Sequence, residues 1–456
     1  MHKFHNLVMK KGGNSNIMAV KNKTQRIAYN AQITLSFDYD NEHIPIDKQN
    51  IAYVYIDSKY EINVLPTLYI SLLVNDDLYD KITSNRATGE FTLTIKKYIL
   101  ESTTTAGKVI LKDKYSYVPS ITTENYMHDL NNASPNQGRD HYRKMLIGLV
   151  SKTMVNKMRK SFNGVINNVN ESTLVSLALE GTKPVIERLT TNKNFDSILI
   201  PPLSTRYQLL KFVFEKAPFY DTEFILFMDF NRTYLLSKTG KNTATNDGTP
   251  DSVIIDVGEI TGKDAFLEGM TQADDHYYIS INPTNFRVMS DKAASMAMDN
   301  ITVIDEDNNV THLDIDYPDE TKGLTKKEIF IRSNNPGLLK NQLELENTKV
   351  SVSKDYIDGS VLTPNKLYSI TNYQGNESYN GSYILESKEE VFIPQVNDFK
   401  MTVILNLKKV GKLNQSTESK NKQNKYTKKE NKAITQTGKR STTAAQKNLA
   451  NVRKQK

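Results

Sequence analysis

The chain has 456 residues, 38% of them apolar and 9% aromatic, enough for two to four domains with substantial cores. It contains no Cys and no Trp, which excludes disulfides, thiolate metal sites and Cys nucleophiles and suits assembly in a reducing cytoplasm. The formal charge of +7 is unevenly spread: Lys412 to Lys456 hold 11 Lys and 2 Arg against 2 Glu, or +11, leaving about −4 for all that precedes.

The N-terminal stretch MHKFHNLVMKKGGNSNI has no apolar h-region, so it is not a secretory signal. Lys11-Gly12-Gly13-Asn14 could be encoded by a purine-rich run of ribosome-binding type, with Met18 following closely. Translation is therefore expected to begin at Met18; a disordered leader is the alternative. Residues 1–30 are read as this leader, and residues 31–165 as a first β-barrel. Asn50–Tyr60 and Leu65–Val74 are rich in β-branched and aromatic residues. In Phe91–Leu100, Phe91, Leu93 and Ile95 alternate with Thr92 and Thr94, as a strand requires. Thr122 to Asp140 is a looser polar segment. Met145–Ile166 fits strands or a helix, with strands preferred.

Residues 166–250 read as an α+β middle region. Ser172–Gly181 has a Ser N-cap and a Gly stop, a short-helix signature. After Pro201-Pro202, the segment from Leu203 to Lys216 reads as a helix capped by Ser204, with Tyr207, Leu210, Val213 and Phe214 on one face. FILFM and TYLLS then flank Asp229–Arg232 as a hairpin. That hairpin does not alternate, so both of its faces must be covered. The preceding helix can cover one; the other calls for a second sheet or another subunit. Residues 241–251 form a polar linker.

Residues 251–411 read as a second β-barrel: SVIIDVGEI, HYYISINP, NITVIDEDNNVTHLDI, KVSVS, NKLYSITNYQG, GSYILESKEEVFIP and FKMTVILNLKK read as short strands with turn residues between them. Residues 412–456 are a basic tail, disordered by composition. As a flexible coil it would span roughly 35–40 Å. Its cations Lys420, Lys422, Lys425, Lys428, Lys429, Lys432, Lys439 and Arg440 are candidates for docking onto an acidic protein partner. An inert solvated tail and salt-sensitive binding of nucleic acid remain open; Tyr426 stands alone, so base stacking is not expected.

No cofactor, metal or catalytic residue is expected. Asp305 to Asn309 lacks the Gly and Glu of a calcium loop, Val310 and Asp316 standing there, and reads as a polar hairpin turn. Asp274-Asp275-His276 has no second cluster at ligand spacing. Lys238-Thr239-Gly240-Lys241 lacks the upstream Gly of a P-loop. Asp314 and Asp316 could pair as in a glycan hydrolase, but a solvent-facing pair is the simpler reading. No G-x-S-x-G elbow occurs.

PPLSTRYQLLKFVFEKAPFYDTEFILFMDFNRTYLLSKTG resembles the central part of baseplate hub proteins of contractile-tailed bacteriophages: proline pair, helix, aromatic pair, strand, and a DF-x-x-TYLLS hairpin. IAYVYIDSKYEINVLPTLYISLLVNDDLYDKI is similar to the family's first strands, and YNGSYILESKEEVFIPQVNDFKMTVILNLKKV to its closing strands. The resemblance spans about residues 31–410 and excludes the tail. It implies a mainly β chain with two barrels of the tail-tube type. It further implies a non-enzymatic virion protein, assembled in the host cytoplasm. Three copies would form a pseudo-sixfold ring between the tail tube protein and the central spike or its adaptor. Tape measure protein and then DNA would pass through. A distal tail or tube terminator ring, a tail-borne cell-wall hydrolase and a nucleic-acid binder are the alternatives. No stretch of 18 apolar residues is present, so no spanning helix is expected.

Overall fold

The computed structural model describes residues 25–99, 107–117, 123–125, 142–230, 232–238, 250–258, 269–272, 276–291, 299–305, 308–313, 327–332, 348–375 and 377–409. Residues 1–24 of the expected leader (1–30), residues 241–249 of the polar linker (241–251) and the basic tail lie outside them.

The first third contains β1 (Gln25–Ile27), β2 (Tyr29–Tyr39), β3 (Glu42–Ile46), β4 (Ile51–Lys59), β5 (Thr67–Asn75), α1 (Asp76–Ser84), β6 (Glu90–Ile99), β7 (Lys108–Tyr117), β8 (Thr123–Asn125), β9 (Tyr142–Ser151) and α2 (Lys152–Met158). The middle holds β10 (Ser161–Asn170), α3 (Glu171–Ala178), β11 (Pro184–Ile186), β12 (Asn194–Thr205), α4 (Arg206–Lys216), β13 (Phe224–Met228) and β14 (Thr233–Ser237). Then come β15 (Ser252–Val257), β16 (Met270–Gln272), β17 (His276–Ile281), β18 (Phe286–Asp291), β19 (Asp299–Ile304), β20 (Val310–Leu313), β21 (Lys327–Arg332), β22 (Thr348–Asp355), β23 (Leu367–Thr371), β24 (Gly381–Pro394) and β25 (Phe399–Lys409). The fold is mainly β with a helix-containing middle, as the residue pattern implied.

Eight strands close a circle: β2 pairs with β6, then in turn β7, β9, β5, β4, β24 and β25, which returns to β2. Every pairing is antiparallel. The stretch 31–165 supplies six of these strands, and β24 and β25 supply the other two. An eight-stranded barrel is just wide enough for its own side chains. Here Phe37, Ile70, Leu93, Met145, Phe392 and Phe399 fill it. The interior is a packed core, not a pore.

Around a second core, β1, β16, β17, β15, β23, β24, β25, β22 and β18 pair in that order among the described residues. β25 belongs to both cores. Its residues alternate inward and outward, so Phe399 and Met401 enter the first core while Val403, Leu405 and Leu407 enter the second. At about 3.3 Å per residue the strand is long enough to cross from one to the other. β24 does the same, with Tyr383 and Leu385 in the second core and Phe392 in the first. A register shift between Leu385 and Ser387 marks the passage. A separate three-stranded sheet, β20-β19-β21, carries a small core around Ile301 and Val303.

The hairpin β13–β14 finds both covers within the chain. Ile225, Phe227, Tyr234 and Leu236 point into the second core, where Phe227 meets Tyr60 edge-on at 4.6 Å. Leu226 and Leu235 point the other way, into a third core built by α3, α4 and the β10–β12 ribbon. The second cover is a sheet of the same chain; this hairpin requires no neighbouring subunit.

Local readings are corrected in three places. Met145–Ile166 is strand, helix and strand: β9 ends at Ser151, whose side chain accepts from the Met154 amide at 3.1 Å and starts α2. α3 is capped by Asn170, which accepts from the Thr173 amide at 2.9 Å, rather than by Ser172. α4 is capped by Thr205 in a reciprocal capping box with Gln208. Ser204 instead donates to the Pro201 carbonyl at 2.7 Å. Arg206, Leu209, Leu210 and Val213 form the buried face of α4, while Tyr207 is 41% exposed.

Candidate functional site: the junction between the barrel and the second core

The closed barrel and the strands around the second core meet along β24 and β25, and polar groups accumulate there. Lys97, near the end of β6, contacts the carboxylate of Asp358, which precedes a short 3-10 turn at Gly359–Val361. Burial and the neighbouring Lys108 ammonium pull the Lys97 amine down to about 8. Lys388 on β24 is paired with Glu390 at 3.1 Å and donates to the Gly359 carbonyl at 2.6 Å. Lys408, almost fully buried on β25, reaches Glu61 at 2.6 Å. Ion pairs like these resist being opened, because separating one partner leaves a charge in a poorly solvated place. Lys97–Asp358 and Lys408–Glu61 tie distant parts of the chain together across the junction.

Gly359 is required by close approach. A Cβ there would lie 2.2 Å from Glu390 Oε1, inside the Lys388–Glu390 pair. Tyr60, just past β4, is buried in the second core, and burial pushes its hydroxyl well above the ordinary tyrosine range. Asp229 accepts from the Arg232 amide at 2.7 Å, setting the hairpin turn at the same junction. Beside it lies a cleft of about 350 Å³ whose lining includes Lys97, Lys108, Asp229, Arg232, Ser360 and Lys366.

None of the junction cations was singled out from the chain. Lys97 could have been noticed, since the Phe91–Ile95 alternation stops at Lys96-Lys97. Lys108, Arg232 and Lys366 carry no local signal, because tertiary folding alone brings them together. The tail cations Lys420, Lys422, Lys425, Lys428, Lys429, Lys432, Lys439 and Arg440 lie outside the described residues, as do Asp274, Asp275, Asp314 and Asp316. Asp305 and Asn309 form the turn read from the sequence: Asp305 Oδ1 accepts from the Asn309 amide at 2.7 Å, and Asn308 has φ +61°. Lys238 donates to Glu223 at 2.7 Å. Among the described residues no cluster of three metal-ligating side chains occurs. No helix among them is long and apolar enough to cross a membrane.

No family model and no curated protein matches the chain. Among solved structures it is similar to a tail protein from Neisseria meningitidis MC58, with a TM-score of 0.45 and 9% identity over 83% of this chain and 96% of that one. A 43 kDa tail protein of prophage MuSo2 from Shewanella oneidensis gives 0.46 and 10% identity over 82% and 97%. A chain of the Francisella PdpA-VgrG complex gives 0.43 and 9% identity over 87% and 60%.

Proposed function

We propose that this chain is a structural, non-enzymatic component of a contractile phage-type tail, located in the virion and serving as a baseplate hub. Three copies form a ring joining the tail tube protein to the central spike or its adaptor, and the tape measure protein and then DNA pass through. The observation that carries this reading is the pair of β-rich units sharing β24 and β25 in one chain. Two such units per chain let three copies present six to a sixfold tube. Because the closed barrel is filled by its own side chains, the channel lies between subunits. The hub-like order of elements in residues 201–240 supports the same reading. The basic tail docks on an acidic surface of a partner.

Electron microscopy of the assembled particle, with copy number by quantitative mass spectrometry, tests this. Three copies per tail at the tube–spike junction are expected. Six copies would transfer the chain to a distal tail or tube terminator ring. Clearing of peptidoglycan by the purified protein would end the non-enzymatic reading.

A further inference from the structure

Among the described residues, the cleft at the junction has an excess of cations. Lys97 and Lys108 reach it from the closed barrel, Arg232 from the hairpin turn and Lys366 from the residue just before β23. Against these four stand Asp229, on the same lining, and Asp358, which Lys97 contacts. The surplus is notable in a body that is slightly acidic before its tail. The Lys366 ammonium is buried, contacting the Pro250 carbonyl and lying 5.5 Å from the centre of the Tyr277 ring. Charge so placed is weakly screened. Lys108, exposed on β7, forms no ion pair among the described residues, and its charge works against that of Lys97. An anion set between them would relieve that repulsion. Ser360 adds a hydroxyl that already donates to Asp358 at 2.6 Å, and its oxygen can accept in turn. The volume of 350 Å³ admits a compact anion and is at the small end of ligand cavities, which run from about 300 Å³ upward.

We propose that this cleft binds a compact phosphate-type anion, held by Lys97, Lys108 and Arg232. Lysine and arginine converging from three parts of the chain match the several acceptor oxygens of such a group. The bound anion touches the closed barrel and the hairpin turn, so it fastens the junction and stabilises the whole chain by mass action. This inference is independent of the tail reading.

Calorimetry of the full chain with pyrophosphate, against sodium chloride of equal ionic strength, tests it. Saturable one-to-one binding is expected. Lys108→Gln and Arg232→Gln should each weaken it about tenfold, the effect of one charge-assisted hydrogen bond. Lys112→Gln, on the same strand but outside the cleft, should not change it. Absence of saturable heat, or equal affinity in all three variants, overturns the proposal. Binding of a short oligothymidylate without binding of pyrophosphate also overturns it, because the phosphate then belongs to nucleic acid.

Discussion

Gly359 shows how one missing Cβ can be dictated from a distance. Its backbone is not in the left-handed region; the constraint is the Glu390 carboxylate 2.2 Å from where the Cβ would stand. Gly359→Ala must displace a carboxylate paired with Lys388, so a loss of about 1–3 kcal/mol is expected, the usual range for overpacking. Urea titration would read it, with Gly258→Ala as the comparison, since nothing lies within 4 Å of that position. Glu90 offers a pH test. Hydrogen bonds from Lys152 and Lys114 hold its carboxyl below the ordinary glutamate range, although burial opposes them. A lowered folded-state pKa means stability present above the unfolded value and lost as pH falls through the folded one. Glu90→Gln should therefore flatten the acid limb of the stability curve below about pH 4.5, by under about 1 kcal/mol because both lysines are exposed. An acid limb identical to that of the parent would refute the assignment.

The helix α4 depends on its first residue. Thr205→Ala removes the capping box and should cost about 0.5–2 kcal/mol, whereas Ser204→Ala removes only a local bond to Pro201 and should cost less. The reverse order in thermal melts would restore Ser204 as the cap. In the hairpin, neighbouring residues serve different cores. Phe227→Ala opens a space in the second core and Leu235→Ala in the helical one. Losses of about 3–5 and 2–5 kcal/mol are expected, and a mild effect of either would mean that its face is poorly covered. The alternation of β25 was legible as a pattern, but a strand handing its inward side chains from one core to another is invisible in a pattern that stays unbroken throughout.

Because β24 and β25 close the first barrel, the two halves of the molecule are not separable pieces. A fragment of residues 25–165 would leave β2 and β4 without partners along β25 and β24, and would lack Phe392, Phe399 and Met401 from its core. Unpaired edges and an unfilled core predict that it does not fold alone. Circular dichroism and proteolysis of that fragment would show this; a cooperative melt would contradict it. Asp398 reinforces the closure, since its carboxylate accepts from Asn30 at 2.6 Å and from the Tyr98 hydroxyl, tying the β24–β25 turn to β2 and β6.

Much was legible because it is written in short-range periodicity. The strands, the two principal helices of the middle region, the hairpin and its demand for two covers all follow from spacing over a few residues. Those signals arise from backbone geometry, which repeats every two or 3.6 positions. The identity of the covers, the eight-strand closure and the cationic junction are different. Lys97 lies 261 positions from Asp358, and Lys408 lies 347 from Glu61. No local pattern encodes such a meeting, because it depends on which way whole sheets curl and pack. The chain announced its elements; their packing chose which charges would be shut in together.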